Sequence, residues 1–268
     1  MSTSCIAFIG GGNMATAILG GLLRHGAAPA SFIVIEPFEA QRDKLRADFG
    51  IEALAQADIS LARAALVVWA VKPQMFAQAV APCAAHVAGA LQLSIMAGIR
   101  SDALVAATGS ARVVRAMPNT PALIGRGIAG LFARAEVSAA ERAEVERVLA
   151  PTGSTLWLKG EDDLDAVTAL SGSGPAYVFY FIEAMVQAGV EMGLAPEQAR
   201  RLAQETFAGA AALAMQSDES PAVLRERVTS KGGTTYAAIT SLDDSGVKAA
   251  FVKALHAART RAQELGRA

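Results

Sequence analysis

Cysteine and histidine are scarce in this sequence of 268 residues, which has two cysteines and three histidines. Cys5 and Cys83 are too few for a disulfide framework or a cysteine-rich zinc site. The histidines, His25, His86 and His256, are scattered and show no metal-ligand spacing. We therefore expect no metal ion, and two unpaired thiols are typical of a protein of the reducing cytoplasm.

The sequence also lacks excess charge and long apolar runs. Its formal net charge is −1, so no basic surplus favours nucleic acid, and we expect a small-molecule partner instead. The weakly charged stretch Gly174–Val190 contains Glu183 and Gln187 and falls short of the roughly 20 apolar residues of a membrane span. Residues Cys5–Gly10 have no basic segment before them and no cleavage site after them, which indicates a strand rather than a signal peptide.

What the first half does have is an alternation of short apolar runs with helical patterns. Strands are predicted near residues 5–10, 31–36, 65–71, 90–95 and 111–116, and helices near 13–25, 38–48, 73–84 and 101–108. This rhythm is typical of βαβ units around a doubly covered, mostly parallel sheet. Two further runs, 127–133 and 155–158, flank a charged helix near 138–150 and extend the sheet in a direction that the pattern leaves open.

The second half shows helical patterns and no convincing strand. The predicted helices cover roughly residues 162–170, 174–193, 196–216, 220–229, 234–245 and 247–265. Pro196 suits the first position of a helix, and Gly193 suits the end of the helix before it. We therefore predict two domains, an α/β domain over residues 1–160 and an all-α domain over residues 161–268.

The helix predicted from Gly174 is apolar on every face, since it carries Tyr177–Ile182 and then Met185, Val186 and Val190. A helix of this kind must be buried all round. A helical domain of about 100 residues has a limited interior, so part of this surface is expected to pack against a second copy of the chain. The alternative is a central helix within one subunit.

A glycine-rich turn follows the first predicted strand and opens the first helix. Residues Gly10-Gly11-Gly12-Asn13-Met14-Ala15 fit the pattern G-x-G-x-x-A, which in this strand-turn-helix context is the dinucleotide-binding fingerprint of a doubly wound Rossmann domain. Gly10 permits the tight turn, Gly12 allows the pyrophosphate to approach the backbone, and Ala15 lets helix and strand pack closely. The helix N-terminus then attracts the phosphates through its free N–H groups and its dipole.

Glu36 closes the second predicted strand, where an acidic residue commonly holds the ribose hydroxyls of NAD and repels the 2′-phosphate of NADP. Arg42 and Lys44 follow at the start of the next helix and could offset that repulsion. Glu36 could also point to solvent. The preference between NADH and NADPH stays open at this point.

Five motifs, in this order, make the sequence resemble pyrroline-5-carboxylate reductase along its whole length. They are Phe8–Met14, Ala70–Gln74, Arg115–Pro121, Ser171–Tyr177 and Ser230–Thr235. The first is shared with many dehydrogenases, whereas the third and the fifth together are specific. The resemblance implies a Rossmann domain followed by a helical dimerisation domain, a homodimer that assembles further, and NAD(P)H-dependent reduction of 1-pyrroline-5-carboxylate to L-proline, the last step of proline biosynthesis.

The resemblance also implies site residues. It places Val71-Lys72-Pro73 and Met117-Pro118-Asn119 at the rim of the nicotinamide pocket. Together with the fingerprint, the expected cofactor-binding residues are Gly10, Gly11, Gly12, Asn13, Met14, Glu36, Ala70, Val71, Lys72, Pro73, Met117, Pro118 and Asn119. The structural alternatives are a plain strand exit at Lys72-Pro73, with the lysine solvated, and a rigid turn at Met117-Pro118.

For the substrate, the resemblance implies Ser171 and the loop residues Ser230, Gly232, Gly233, Thr234 and Thr235. Consecutive N–H groups at a helix start form a nest suited to a carboxylate. Thr235 matches the threonine beside the imine nitrogen and is the expected catalytic residue, whereas the alternative is that it caps the following helix. One departure is Lys231, where the family usually has proline; it makes the loop less rigid and adds a cation. The structural alternative for the segment Ser171–Pro175 is a helix N-cap with proline at the first helical position.

Two other functions use the same dinucleotide-binding domain. A 3-hydroxyacid dehydrogenase of the same architecture needs a lysine on the interdomain helix as its general base, yet residues 172–190 contain neither lysine nor histidine. A non-catalytic dinucleotide sensor has no reason to keep a carboxylate-binding loop far from the glycine-rich turn. Both are less consistent with the sequence than the reductase.

Overall fold

A computed structural model describes residues 5–267 of the chain. These residues form two compact units. The first unit runs to Ser173 and takes up the chain again from Ala258, while the second comprises Gly174–Ala257. The second unit is therefore connected to the first at both of its ends.

A seven-stranded sheet is the centre of the first unit. Its strands are β1 (Cys5–Ile9), β2 (Phe32–Ile35), β3 (Ala64–Trp69), β4 (Leu91–Ser94), β5 (Val113–Met117), β6 (Gly127–Ala133) and β7 (Gly153–Trp157). They lie in the order β2-β1-β3-β4-β5-β6-β7. The first five are mutually parallel, β6 runs antiparallel to β5, and β7 is parallel to β6. The predicted doubly wound, mostly parallel sheet is confirmed, and the direction of its last two strands is now fixed.

Helices cover both faces of this sheet. Those of the first unit are α1 (Asn13–Arg24), α2 (Glu39–Phe49), α3 (Phe76–Val80), α4 (Ala84–Val87), α5 (Ser101–Thr108), α6 (Ala139–Leu149) and α7 (Asp163–Val167). The single helix predicted near residues 73–84 is instead a 3₁₀ turn at Pro73–Met75 followed by α3 and α4. Pro82 lies between α3 and α4, and because it has no N–H it cannot continue the helical hydrogen-bond ladder.

Apolar side chains of the strands alternate between the two faces, as the period of a strand requires. Phe8 packs on one face with Ile18, Leu19 and Leu45, and all four are essentially inaccessible to solvent. On the other face Trp69 packs with Phe76, Leu104 and their neighbours. The indole N–H of Trp69 donates to Gln92 Oε1 at 2.9 Å, so the polar atom of this buried ring is satisfied. This rigid core holds the strand ends that carry the candidate site.

The second unit is helical, as predicted. Its helices are α8 (Gly174–Glu191), α9 (Pro196–Gln216), α10 (Pro221–Arg227), α11 (Thr234–Asp244) and the first half of α12 (Val247–Arg267). In α8 only Gly189 is buried, whereas Phe179 and Tyr180 expose 58% and 69% of their surface. The alternative of a central helix within one subunit is therefore wrong. Among residues 5–267, no helix is long and apolar enough to cross a membrane.

Candidate functional site

The glycine-rich turn lies where the order of the strands reverses, because β1 is flanked by β2 on one side and β3 on the other. This is the position at which open α/β sheets bind ligands. Gly10 has a φ of +98°, and a β-carbon on it would lie 2.9 Å from the backbone carbon and oxygen of Ala70. The turn thus requires glycine for its conformation and for its close approach to the end of β3.

Gly12 plays a different part in the same turn. It is the N-cap of α1, with an extended backbone and no side chain to cap the helix. A β-carbon on Gly12 would meet no atom within 4 Å. The space beside Gly12 is thus open, and the N–H groups that begin the helix have no side-chain cap. A pyrophosphate group fits this environment.

Glu36 is only 5% exposed, so the alternative that it points to solvent is wrong. Its Oε2 accepts a hydrogen bond from the backbone N–H of Gly11 at 2.8 Å, and its Oε1 accepts one from Phe38 at 2.9 Å. The side chain of Gln41 donates to the Gly11 carbonyl at 2.5 Å. Glu36 and Gln41 together tie the glycine turn to the start of α2. Gln41 was not foreseen, since no spacing rule marks it.

The two basic residues near Glu36 behave differently from each other. Arg42 Nη1 donates to the carbonyl oxygens of Glu36 and Pro37, at 3.1 and 2.6 Å, so its guanidinium stays at the carboxyl end of β2. Lys44 pairs with Asp48 at 2.6 Å one turn further along α2. Only Arg42 therefore lies where it could offset the charge of Glu36 toward a 2′-phosphate.

The segment after β3 contacts the glycine turn directly. A β-carbon on Gly10 would lie 3.0 Å from Cγ1 of Val71. Lys72 is exposed and precedes Pro73, which occupies the first position of the 3₁₀ turn. This geometry is what the strand-exit alternative describes, and it also leaves the ammonium group free to reach a bound ligand.

Met117 ends β5 and is half-buried. Asn119 follows Pro118 and accepts a hydrogen bond from the backbone N–H of Ile128 through Oδ1 at 3.0 Å. That bond fixes the turn after β5 to the beginning of β6. The residues Met117-Pro118-Asn119 are thereby held at the carboxyl end of a parallel strand, on the same edge of the sheet as the glycine turn.

Ser171 lies in a π-helical turn, Thr168–Gly172, which follows α7 directly. The helix start expected from this segment is that of α8, which begins at Gly174 with Pro175 as its second residue. Ser171 Oγ donates to the carbonyl of Val167 at 3.2 Å, and its lone pairs remain available as acceptors. Single π turns inside α-helices are frequent at functional sites.

The expected substrate loop belongs to the second unit. Gly232 has a φ of +76°, and Gly233 donates its N–H to Ser230 O at 3.0 Å before serving as the N-cap of α11. Thr234 and Thr235 are the first two residues of that helix. Because Gly233 occupies the cap position, the alternative that Thr235 caps the helix is wrong. The helix start offers N–H groups without a side-chain cap, which suits a carboxylate.

A buried ionic cluster in the first unit was not expected from the sequence. Glu161 accepts hydrogen bonds from the backbone N–H and hydroxyl of Ser101, at 2.6 and 2.7 Å, and from Arg115 Nη1 at 2.8 Å. Burial by itself raises the pKa of the Glu161 carboxyl, but these hydrogen bonds and the charge of Arg115 outweigh it and bring the pKa below its ordinary value. Arg115 lies two residues before Met117, so the cluster braces the strand that carries the turn.

Comparison with known proteins gives matches to both halves of the chain. A family model described as pyrroline-5-carboxylate reductase dimerisation matches residues 161–265. A second model, described as NADP oxidoreductase coenzyme F420-dependent, matches residues 5–98. A pyrroline-5-carboxylate reductase of Pseudomonas aeruginosa is 46% identical, with coverage of 99% of this chain and 98% of that relative.

Solved structures agree with these matches. A pyrroline-5-carboxylate reductase from Coxiella burnetii is similar with a TM-score of 0.90 and 36% identity, covering 98% of this chain and 99% of that one. A Plasmodium falciparum pyrroline carboxylate reductase with NADP bound is similar with a TM-score of 0.88 and 26% identity, covering 99% of both chains. The similarity extends over both units.

Proposed function

The chain belongs to the pyrroline-5-carboxylate reductase family, and we propose that residues 1–160 bind the cofactor and residues 161–268 the substrate. The protein is an NAD(P)H-dependent oxidoreductase that reduces the C=N bond of 1-pyrroline-5-carboxylate to give L-proline. The observation that carries this conclusion is the full-length match to curated reductases together with the glycine turn at the strand reversal.

We assign cofactor binding to the strand ends of the first unit. The open space beside Gly12 and the uncapped start of α1 would receive the pyrophosphate. Glu36 and Arg42 lie at the end of β2, where the adenosine ribose is expected. The remaining residues of this site are Gly10, Gly11, Asn13, Met14, Ala70, Val71, Lys72, Pro73, Met117, Pro118 and Asn119. The nicotinamide cofactor, when bound, supplies the hydride.

Substrate binding is assigned to Ser171 and to the loop before α11. The N–H groups of Gly232 and Thr234 are proposed to form a nest for the substrate carboxylate, since the N–H of Gly233 already donates to Ser230. Ser230 accepts from Gly233 and so shapes that nest. Lys231 is exposed and adds a positive charge beside the anion.

Thr235 is the proposed catalytic residue. Its hydroxyl would hydrogen-bond the imine nitrogen, orient it and relay a proton from water, since the protonated iminium is the better hydride acceptor. A hydroxyl is too weak an acid to protonate the nitrogen alone. Most of the rate enhancement therefore comes from positioning two reactants and keeping water away from them.

The helical half of the chain is a dimerisation domain, so the protein forms a homodimer or larger oligomer. We propose in addition that the functional domains divide at residues 160 and 161, which the match over residues 161–265 supports. We also propose that the dimers assemble into a larger oligomer and that the protein acts in the cytoplasm.

The decisive experiment supplies the purified protein with 1-pyrroline-5-carboxylate and, in separate reactions, NADPH or NADH. We expect loss of nicotinamide absorbance with formation of proline. Oxidation of 3-hydroxy acids with NAD(P)⁺ is the comparison, because a dehydrogenase of similar architecture would show that activity instead. Absence of proline formation with either cofactor would overturn the proposed function.

A further inference from the structure

The end of the Met117 side chain lies in the space that a β-carbon on Gly172 would occupy. A β-carbon on Gly172 would lie 2.6 Å from Met117 Cε. Ordinary carbon contacts are about 3.5–4.0 Å, so any side chain at residue 172 would displace the methionine methyl by about 1 Å. The backbone of Gly172 does not have a positive φ. The absence of a side chain is therefore needed for space and not for conformation.

The π turn brings Gly172 to this place. The N–H of Ser173 donates to the carbonyl of Thr168 at 2.8 Å, five residues back, which inserts one extra residue into the helical turn. Val167, just before the turn, packs against Gly130 of β6, where a β-carbon would lie 2.9 Å from both its methyl groups. Two glycine contacts thus fix this segment against the end of β5 and the middle of β6.

We infer that Gly172 is a positioning residue for the cofactor, acting through Met117. The inference rests on the proposed function, in which Met117 lies at the rim of the nicotinamide pocket. By leaving room for the thioether methyl, Gly172 determines the position of the end of the Met117 side chain. That position in turn determines how closely the nicotinamide ring can approach the substrate. A misplacement of about 1 Å at a reacting centre can lower a rate on the order of a hundred-fold.

The first measurement follows the methyl group of Met117 by NMR and does not depend on enzymatic activity. The chain has eight methionines, and labelling their methyl groups with ¹³C gives one NMR signal for each. The signal that disappears in Met117→Leu is that of Met117. We expect addition of NADP⁺ to shift that signal in the wild type, and Gly172→Ala to shift it before any cofactor is added. If neither change occurs, the inference is overturned.

Kinetics then test the coupling. Gly172→Ala should lower kcat about ten- to a hundred-fold, with a smaller change in cofactor affinity measured by calorimetric titration. Leucine has no atom at the ε position, so in a Met117→Leu background the same substitution should cost much less. An equal cost of Gly172→Ala in both backgrounds would show that Met117 does not mediate the effect.

Gly89→Ala is the matched control, since Gly89 has no atom within 4 Å of a β-carbon and no positive φ. If Gly172→Ala lowers the melting temperature, the double variant Met117→Leu/Gly172→Ala should have the melting temperature of Met117→Leu. A lower value would show that the contact with Met117 is not the cause and would overturn the inference. Failure of the proposed function is recognised separately, as a wild type that shows the methyl contact but forms no proline.

Discussion

Arg115 and Glu161 form an ion pair of 2.8 Å in which only 7% and 11% of the two side chains are exposed. The pair joins the middle of β5 to the residue that begins the segment matched by the dimerisation model. Breaking a buried pair leaves one charge uncompensated and typically costs about 3–5 kcal/mol.

We therefore expect Glu161→Ala to lower the free energy of unfolding by about 3–5 kcal/mol, as measured by urea denaturation. Glu144→Ala is the control, because the Arg147–Glu144 pair is more exposed and should be worth about 1 kcal/mol or less. Equal losses in the two variants would mean that burial does not distinguish these pairs.

The same pair makes a prediction about pH. The pKa of Glu161 is lower in the folded chain than its ordinary value of 4.5. A depressed pKa contributes stability that is present above the ordinary value and is lost as the pH falls below it. As the pH falls below 4.5, we expect the melting temperature of the wild type to decrease more steeply than the melting temperature of Glu161→Gln. Parallel curves for the two proteins would contradict the assignment.

Gly12→Val should abolish cofactor binding in a folded protein. The valine side chain fits into open space beside the turn but fills the volume proposed for the pyrophosphate. Gly10→Ala is the contrast, since its β-carbon would meet the backbone of Ala70 in a residue with a positive φ, and that variant should be destabilised. Calorimetric titration with NADPH and thermal melts separate the two effects. Unchanged affinity in a folded Gly12→Val protein would refute the site.

Thr235→Ala should lower kcat and kcat/KM together, because its hydrogen bond strengthens as the nitrogen gains amine character. Loss of one neutral hydrogen bond of ~0.5–1.5 kcal/mol corresponds to a drop of roughly 2- to 12-fold, and a proton relay adds to it. Thr234→Ala is the control, since its backbone N–H is the group we expect to matter. Gly233 already caps α11, so the melting temperature should hardly change. Full kcat in Thr235→Ala would remove this residue from the active site.

Tyr180→Glu should give monomers or aggregates. Tyr180 is 69% exposed on α8 within one chain. Dimer formation would bury the carboxylate of the variant without a partner, which is costly in free energy. Tyr180→Phe keeps the apolar ring and should retain the native assembly. Light scattering distinguishes the outcomes, and an intact oligomer of Tyr180→Glu would show that this helix is not the interface.

Much of the fold could be predicted from local patterns, because they determine local structure. The strand, turn and helix around Gly10–Gly12 follow from glycine spacing between two periodic segments, and the long helix α8 follows from its composition. The antiparallel direction of β6 could not be predicted, since it depends on how the turn after Met117 folds back. The break between α3 and α4 was missed although Pro82 was a visible signal.

The candidate site divides in a similar way. Its backbone elements were predicted from motifs, but the partners of its side chains are distant in sequence. Nothing in the pattern relates Gly172 to Met117, or Glu161 to Ser101, because these contacts depend on the packing of α7 and the π turn against the sheet. Glu36 was recognised by its position, whereas its two backbone donors became known only from the structure.

The double connection of the helical unit also orders events during synthesis. Residues from Ala258 onward belong to the unit that holds the sheet, and a β-carbon on Gly98 would lie 3.2 Å from the carbonyl oxygen of Leu265. A ribosome releases the N-terminal strands first, whereas the α12 residues that pack on the Gly98 turn emerge only after the whole helical insertion. This turn therefore acquires its contact with Leu265 only after the second unit has been synthesised.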